Sequence, residues 1–166
     1  MKVSTTNIQK VHRVNLHLIT RFFSKMAENL QNMTPGTQWS AVSLVLTDNA
    51  GIRRIKSKYM HIAEVTDVIA FRYASLPGET DSAWGDVFVN VQRAAEYTLT
   101  SGNRSRELAL YIAHGCDHLA GEVDDSRAAY TRMRRRELRW LKKAESDGLL
   151  KRPLLRESNA RPARPS

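Results

Sequence analysis

The segment HGCDHLAGEVDD, residues 114–125, places two histidines and a carboxylate at spacings that suit a metal ion. On a helix, His114 and His118 lie one turn apart on the same face, and two such imidazoles can bind one divalent metal. Gly121 lets the chain turn back after the helix, so that Asp124 comes within reach as a third ligand. Three protein ligands leave a fourth position open for water, which is typical of catalytic metal sites.

Neighbouring residues leave alternatives open. Asp125 is predicted to cap the next helix, because an aspartate before a helical run commonly accepts hydrogen bonds from the first backbone N–H groups. Asp117 lies about 100° around the helix from His118 and is predicted to be exposed. The single Cys116 excludes an internal disulfide and is predicted to be a small buried residue. A chance histidine pair at a polar helix end is the alternative to a metal site.

The elements that must position these residues read as a mixture of helices and strands. Apolar residues recur every three or four positions in segments 14–33 and 103–120, which predicts helices. Strands are predicted at 39–47, 66–74 and 84–91, with a weaker first strand at 3–7, and a short helix is predicted after the capping residue Asp48. Helices mixed with three or four strands predict an α+β domain.

Charge divides the chain unevenly. The net charge is +9, and residues 127–166 carry all of it, with 13 Lys and Arg against 4 Asp and Glu. Segment 125–145 has helical spacing, and a basic helix interrupted by Tyr130 and Trp140 suits a polyanion such as RNA. A solvated helix face is the alternative. One domain is predicted over residues 1–146, followed by a basic, proline-containing and disordered tail, residues 147–166.

The sequence also bears on localisation. No apolar run reaches the length of a membrane span, and the first 20 residues lack the apolar core of a signal peptide. A cytoplasmic protein without a membrane partner is therefore expected.

Three blocks resemble the YbeY family of metal-dependent endoribonucleases. HGCDHLAG is similar to the family signature H-G-x-x-H-L-x-G, which two residues and a third ligand, ordinarily histidine, follow. VTDVIAF, residues 65–71, and WGDVFVNVQRAAEYT, residues 84–98, resemble two further family blocks, and the order of elements agrees from about residue 2 to residue 145. The resemblance implies a mixed, roughly four-stranded sheet with about five helices and a metal site at the end of a central helix. It also implies one zinc ion and hydrolysis of single-stranded RNA during small-subunit ribosomal RNA maturation and ribosome quality control.

Two departures from the family pattern bear on the site. Asp124 stands for the usual histidine, which favours a harder metal and makes bound water less acidic, although zinc remains the expected ion. Met60 stands where the family has an arginine, so a phosphate contact is expected to be missing. RNA contacts are predicted for Arg53, Arg54, Lys56, Lys58, Arg132, Arg134, Arg135, Arg136 and Arg139.

The favoured function is an RNA hydrolase acting on ribosomal RNA, with the small ribosomal subunit as partner. Gly115 stands where H-E-x-x-H peptidases carry their glutamate base, which disfavours a peptidase-like metal hydrolase. A non-catalytic, ribosome-associated RNA-binding protein is the other alternative. The general base is not assigned; Asp67 and Asp86 are candidates for orienting a ligand or water, or for bonding loop backbone.

Overall fold

Four strands form one mixed sheet in the order β1-β2-β4-β3. A computed structural model of the protein describes residues 1–75, 82–97 and 103–156. The strands are β1 (Lys2–Asn7), β2 (Gln38–Thr47), β3 (Val68–Ala74) and β4 (Ser82–Asn90); the helices are α1 (Leu16–Met33), α2 (Asn49–Met60), α3 (Val91–Tyr97), α4 (Arg104–Leu119) and α5 (Arg127–Ser146). Strands β1, β2 and β4 are parallel, and β3 pairs antiparallel to β4. The predicted α+β class, with a roughly four-stranded mixed sheet and about five helices, is confirmed.

One face of the sheet carries the core. Alternate residues of the two central strands, among them Leu44 and Leu46 of β2 and Val87 and Val89 of β4, are fully buried, as the two-residue period of a strand requires. Helices α1 and α4 cover this face, and α1 contributes a continuous apolar stripe of six buried residues. The core therefore lies between the sheet and these two helices.

Helix α4 is the central helix of the fold and lies close to the sheet. A Cβ atom at Gly115 would come within 2.3 Å of Val87 Cγ1 and 3.1 Å of Val68 Cγ1. A glycine is therefore needed where α4 crosses β4. Helix α5 packs on α4 through a stripe of buried residues that includes Met133 and Leu141 and, unusually, the carboxylate residue Glu137.

The segment after α5, residues 147–156, packs on the domain. Leu154 and Leu155 are 0% and 5% exposed. Leu155 forms an antiparallel bridge with Val14, and its backbone N donates to Ser105 Oγ at 3.0 Å. This segment thus ties the chain before α1 to the start of α4.

The packing of residues 147–156 differs from the prediction that disorder begins at residue 147, and the predicted domain end at residue 146 stays a prediction. The prediction gave weight to proline and charge, and too little to the leucines at 149, 150, 154 and 155. Burial of two leucines offsets part of the entropy that is lost when the segment becomes ordered. Residues 157–166 lie outside the described residues. In the described part of the chain, no helix has the length and apolar character needed to cross a membrane.

Candidate metal centre

Helix α4 carries the two histidines of the candidate site. Its first turn is capped by Asn103, whose side-chain oxygen accepts from Arg106 N at 3.0 Å. His114 and His118 lie one turn apart and half-buried, with Nε2 atoms 2.9 Å apart. The predicted position of both histidines on one helix face agrees with the structure.

The chain after α4 brings a carboxylate back to the histidines. Gly121 adopts a φ of +95°, a left-handed conformation that glycine favours at helix ends. Asp124 then lies with Oδ2 3.7 Å from His114 Nε2, and its side chain is 42% exposed. One possible ligand atom from each of His114, His118 and Asp124 lies within 4.8 Å of the others. The three side chains are close enough to converge on one ion.

The other two aspartates of the segment have different environments from those predicted. Asp125 is exposed and does not cap α5, because Ser126 occupies the cap position and its side chain accepts from Ala129 N. Asp117 is fully buried, although helical geometry alone predicted an exposed residue. Helix α5 covers the α4 face on which Asp117 lies.

The Nδ1 atom of each histidine already has a partner. His114 Nδ1 lies 2.6 Å from Glu137 Oε1, and His118 Nδ1 lies 2.9 Å from the carbonyl oxygen of Glu122. A carbonyl can only accept, so His118 donates from Nδ1 and presents the lone pair of Nε2. Hydrogen bonds of this kind fix the tautomer and ring orientation of metal-binding histidines.

Glu137 gives His114 an electrostatic environment that differs from that of an isolated imidazole. Burial lowers the pKa of His114, but the hydrogen bond and charge of Glu137, with the charges of Asp67 and Asp124, raise it above its ordinary value. Glu137 itself is 1% exposed. His114 therefore lies in a cation-favouring environment made by carboxylates.

Asp117 pairs with an arginine of α5. Arg136 Nη2 lies 2.7 Å from Asp117 Oδ1 and 3.0 Å from Glu122 Oε2. Burial raises the pKa of Asp117 to about 6, although Arg136 acts to lower it. Arg136 thereby joins α4, α5 and the loop whose carbonyl orients His118. This engagement of its guanidinium by two carboxylates disfavours its predicted role as an RNA contact, which stays a prediction.

Two pockets lie on either side of the histidine pair. The first, about 240 Å³, is next to His114 and Asp124 and contains the guanidinium groups of Arg93 and Arg134. The second, about 290 Å³, lies between His118, residues 68–70 of the edge strand β3 and residues 121–123 of the loop. Met60, at the position of the expected arginine, lines this second pocket. The candidate site is thus open on both sides.

The predicted RNA contacts fall into two groups with different surroundings. On α5, Arg134 lines the first pocket, whereas Arg132, Arg135 and Arg139 are exposed on the surface of the helix. On α2, Arg53, Arg54 and Lys58 are exposed, and Lys56 lies 3.4 Å from Glu64. The described lining of the two pockets includes Met60 but no cation of α2.

The two aspartates that were candidates for orienting a ligand or water lie apart, since Asp67 directly precedes β3 and Asp86 lies within β4. Asp67 lines the first pocket, and its Oδ1 accepts from Val68 N at 2.9 Å and from Thr66 Oγ1 at 3.1 Å. Asp86 accepts a short hydrogen bond from Ser43 Oγ on the other face of the sheet. Only Asp67 is therefore near the histidines.

Glu137, Glu122 and Arg93 complete the surroundings of the site and were not found from the sequence. A charged residue at 137, within an otherwise apolar stripe of α5, is the one signal that was present. Arg93 lies in the first turn of α3, which begins directly after β4 and packs on α4, and it lines the first pocket. The carbonyl of Glu122 has no sequence signal, because every residue has one.

Comparison with known proteins agrees with the geometry. Residues 4–145 match the family described as Endoribonuclease YbeY. Among relatives carrying that name, the protein of Geobacter metallireducens is 31% identical over 142 residues, covering 82% of this chain and 89% of the relative. The proteins of Salinibacter ruber (33% identical; 64% of this chain and 71% of the relative) and Acaryochloris marina (29% identical; 69% of each) are also similar.

A solved structure supports the fold. The solution structure of TM1509 from Thermotoga maritima superimposes with a TM-score of 0.56 at 15% identity, covering 96% of this chain and 99% of that chain. At this identity the similarity concerns the arrangement of helices and strands alone.

Proposed function

The chain belongs to the YbeY endoribonuclease family, and from this premise we propose that it is a metal-dependent nuclease that cuts single-stranded RNA. We further propose that its substrate is small-subunit ribosomal RNA and that its resident metal is zinc. The observation that carries the proposal is the convergence of His114, His118 and Asp124 at the end of α4.

The donor set fits a divalent metal. With Nδ1 of each histidine engaged, two Nε2 atoms face each other at 2.9 Å. Two facing lone pairs repel unless a proton or a metal cation lies between them. Two imidazole nitrogens and one carboxylate oxygen form a ligand set common in catalytic zinc sites, and Asp124 also admits a harder ion.

The proposed chemistry divides between the ion and the protein. A bound divalent metal supplies Lewis acidity that activates water near neutral pH and polarises a phosphate oxygen. Arg93 and Arg134, in the pocket beside His114, neutralise charge on the phosphodiester. Glu137 holds the ring of His114, and the Glu122 carbonyl holds that of His118. Met60 lines the other pocket in place of the expected arginine. The cations for the reacting phosphate therefore come from the first pocket, which Arg93 and Arg134 line.

Packing at Gly115 argues against the peptidase alternative. An H-E-x-x-H peptidase needs a glutamate directly after its first histidine. Here that position faces the sheet, and a Cβ would already meet Val87 at 2.3 Å. No base can be placed there without moving α4 away from β4.

Metal analysis together with RNA cleavage tests the proposal. The wild type is expected to contain about one zinc per chain and to cut a single-stranded oligonucleotide, with activity lost in chelator and restored by zinc. His118→Ala should lose both metal and cleavage, whereas His17→Ala, an exposed histidine of α1, should retain both. Full metal content without cleavage in the wild type would favour the non-catalytic RNA-binding alternative. Cleavage that survives complete metal removal would contradict the mechanism.

The arginines of α5 are proposed to hold the RNA backbone near the site. This proposal now concerns Arg132, Arg134, Arg135 and Arg139, and the α2 residues Arg53, Arg54 and Lys58 form a second candidate group. Each lost phosphate contact should lower the slope of log K against log salt by about 0.7 for single strands. Glutamine variants of each group, compared across a salt series, identify which group contacts RNA. Co-sedimentation of the same variants with small ribosomal subunits tests the proposed partner.

A further inference from the structure

A basic cleft lies apart from the metal centre, between the loop of residues 8–15 and the C-terminal segment. It is open, with a volume of about 860 Å³, and its cations are Lys10, Arg13 and Arg156. Asp and Glu are absent from its described lining. In the described part of the chain, none of these three cations forms an ion pair with a carboxylate. Among the described residues, no carboxylate therefore compensates the positive charge of the cleft.

The loop that carries two of these cations is held in one conformation by Gln9. This side chain is 4% exposed; its Oε1 accepts from the backbone N of Val11 and of His12, both at 2.9 Å. Its Nε2 donates to the carbonyl of His12 at 2.8 Å and to Asn7 Oδ1 at 3.0 Å. A buried amide that satisfies the loop backbone makes the cleft a preformed surface, so little entropy is lost when a ligand binds.

Backbone hydrogen bonds fix the third cation beside the loop. Arg156 N donates to the carbonyl of Arg13 at 2.9 Å, and Asn15 N donates to the carbonyl of Leu154 at 2.8 Å. The first turn of α1, which also borders the cleft and contains no acidic residue, adds the positive end of its helix dipole. Arg156 lies beyond residues 4–145, which match the family.

The metal centre alone is poorly suited to attract RNA. Among the described residues, its pocket is lined by four acidic residues, Asp67, Glu107, Asp124 and Glu137, and by two arginines, Arg93 and Arg134. Even a divalent ion only balances that difference. Because phosphate neutralisation supplies much of the affinity for nucleic acid, a substrate needs cations elsewhere on the protein.

The basic cleft and the metal centre lie at the same end of the strands, next to the two opposite edge strands β1 and β3. Asn7 pairs with Leu46, Leu46 with Val89, and Val89 with Val68, so these four residues form one row across the strands. Asn7 borders the basic cleft, and Asp67, next to Val68, borders the pocket of His114. Three interstrand spacings of about 4.8 Å separate the ends of the row by about 14 Å. A short stretch of extended single strand can span this distance.

We propose that the basic cleft is a second RNA-binding site that holds the backbone of the same single-stranded RNA while the metal centre acts on another part of it. The inference rests on the proposed function for the nature of its ligand. Phosphate contacts by Lys10, Arg13 and Arg156 position the strand and carry no sequence preference. The cleft raises the affinity for long substrates and contributes nothing to a substrate too short to reach it.

A charge-matched pair of triple variants tests the inference. Lys10→Gln, Arg13→Gln and Arg156→Gln together remove the cations of the basic cleft; Lys2→Gln, Arg21→Gln and Lys142→Gln remove three exposed cations elsewhere. Binding of a non-cleaved, 20-nucleotide single-stranded RNA is measured by fluorescence anisotropy across a salt series. The cleft variant should lose about 2 from the salt slope, and binding at 0.1 M salt should weaken by on the order of tenfold to a hundredfold. The control variant should change both much less.

Cleavage assays distinguish failure of the basic cleft proposal from failure of the proposed nuclease function. For the cleft variant, kcat/KM should fall with the 20-nucleotide substrate and stay unchanged with a dinucleotide substrate, at unchanged metal content and thermal stability. Equal salt slopes in the cleft and control variants, while the wild type still cuts RNA, would overturn the basic cleft alone. Failure of the wild type to bind RNA would overturn both. Equal losses of affinity for RNA and for heparin, with unchanged kcat/KM for the long substrate, would reduce the cleft to a general anion site and would also contradict the inference.

Discussion

The two histidines of the metal centre are supported in different ways, although one helical turn separates them. His114 is held by a buried side chain of another helix, Glu137 of α5, which is 1% exposed. His118 is held by a backbone carbonyl in the short loop that also carries Asp124, whose side chain is 42% exposed. The α5 half of the site, His114 with Glu137, is thus fixed by helix packing and charge. The loop half, His118 with Asp124, is fixed by an exposed loop.

The difference indicates where the site tolerates change. The α5 half combines buried charges, and removing one partner leaves another charge without compensation in a place that water cannot reach. The loop half is half-exposed, so water and small backbone shifts can accommodate a new side chain. Substitutions of equal chemical size should therefore have large effects on the α5 half and small effects on the loop half.

The largest effect is expected for Arg136→Met, which leaves the carboxylate of Asp117 fully buried without its cation. Breaking such a pair costs about 3–5 kcal/mol in the free energy of unfolding. Chemical denaturation of the metal-free protein at pH 8 measures this loss. Arg135→Met, at an exposed neighbouring position, should change the free energy of unfolding by less than about 0.5 kcal/mol.

The loss of unfolding free energy in Arg136→Met should depend on pH, and the direction of this dependence follows from the pKa of Asp117. Burial holds the pKa of Asp117 at about 6 in the folded protein, above its value of about 4 in an unfolded chain. A raised carboxyl pKa contributes stability that is complete below the unfolded pKa and is lost as pH rises through the folded pKa. Removing Arg136 raises the folded pKa further, so the destabilisation should be large at pH 8 and much smaller at pH 5. A destabilisation that is the same at both pH values would show that Asp117 is not its source.

Glu137→Gln tests how far metal affinity depends on the buried charge beside His114. Glutamine can still accept the hydrogen bond from His114 Nδ1 but removes the charge that favours metal binding. Loss of such a supporting group usually weakens metal affinity by about 10–100-fold. Competition with a chromophoric chelator measures the affinity, and Glu28→Gln on the surface of α1 is the control. An unchanged zinc affinity in Glu137→Gln would mean that both histidines depend on geometry alone.

The sequence predicted the three candidate ligands and missed the α5 side chain that supports His114, for one physical reason. His114, His118, Gly121 and Asp124 lie within 11 residues, and helical geometry relates them without knowledge of the rest of the fold. Glu137 lies 23 residues from His114 and reaches it only because of the way in which α5 packs on α4. The burial of Asp117 was mispredicted for the same reason, since a helix pattern does not say which neighbour covers each face.

The fold was predictable to the extent that its signals are local. Weak alternation predicted β1, runs rich in β-branched and aromatic residues predicted β2, β3 and β4, and three-to-four-residue spacing predicted α1, α4 and α5. The C-terminal segment was mispredicted because its order depends on Leu154 and Leu155 meeting Val14 and Ser105, far apart in the chain. The composition of residues 147–156 does not show which surface of the domain the two leucines contact.

The smallest effect is expected for Asp124→His, which exchanges one ligand for another in the loop half. Imidazole is an ordinary zinc ligand, and the family usually has histidine at this offset, so metal should still bind, within about tenfold of the wild type. Imidazole is neutral and compensates less of the positive charge of the ion than a carboxylate does. The pKa of bound water is therefore lower with histidine as the third ligand. The pH–rate profile for RNA cleavage should then move to lower pH, by about half a unit or roughly 0.7 kcal/mol. Asp125→His, at the exposed position beside it, should leave the profile where it is. If instead Asp124→His abolished metal binding, the loop half would be as intolerant as the α5 half, and the difference in burial between Asp124 and Glu137 would not govern which substitutions the site accepts.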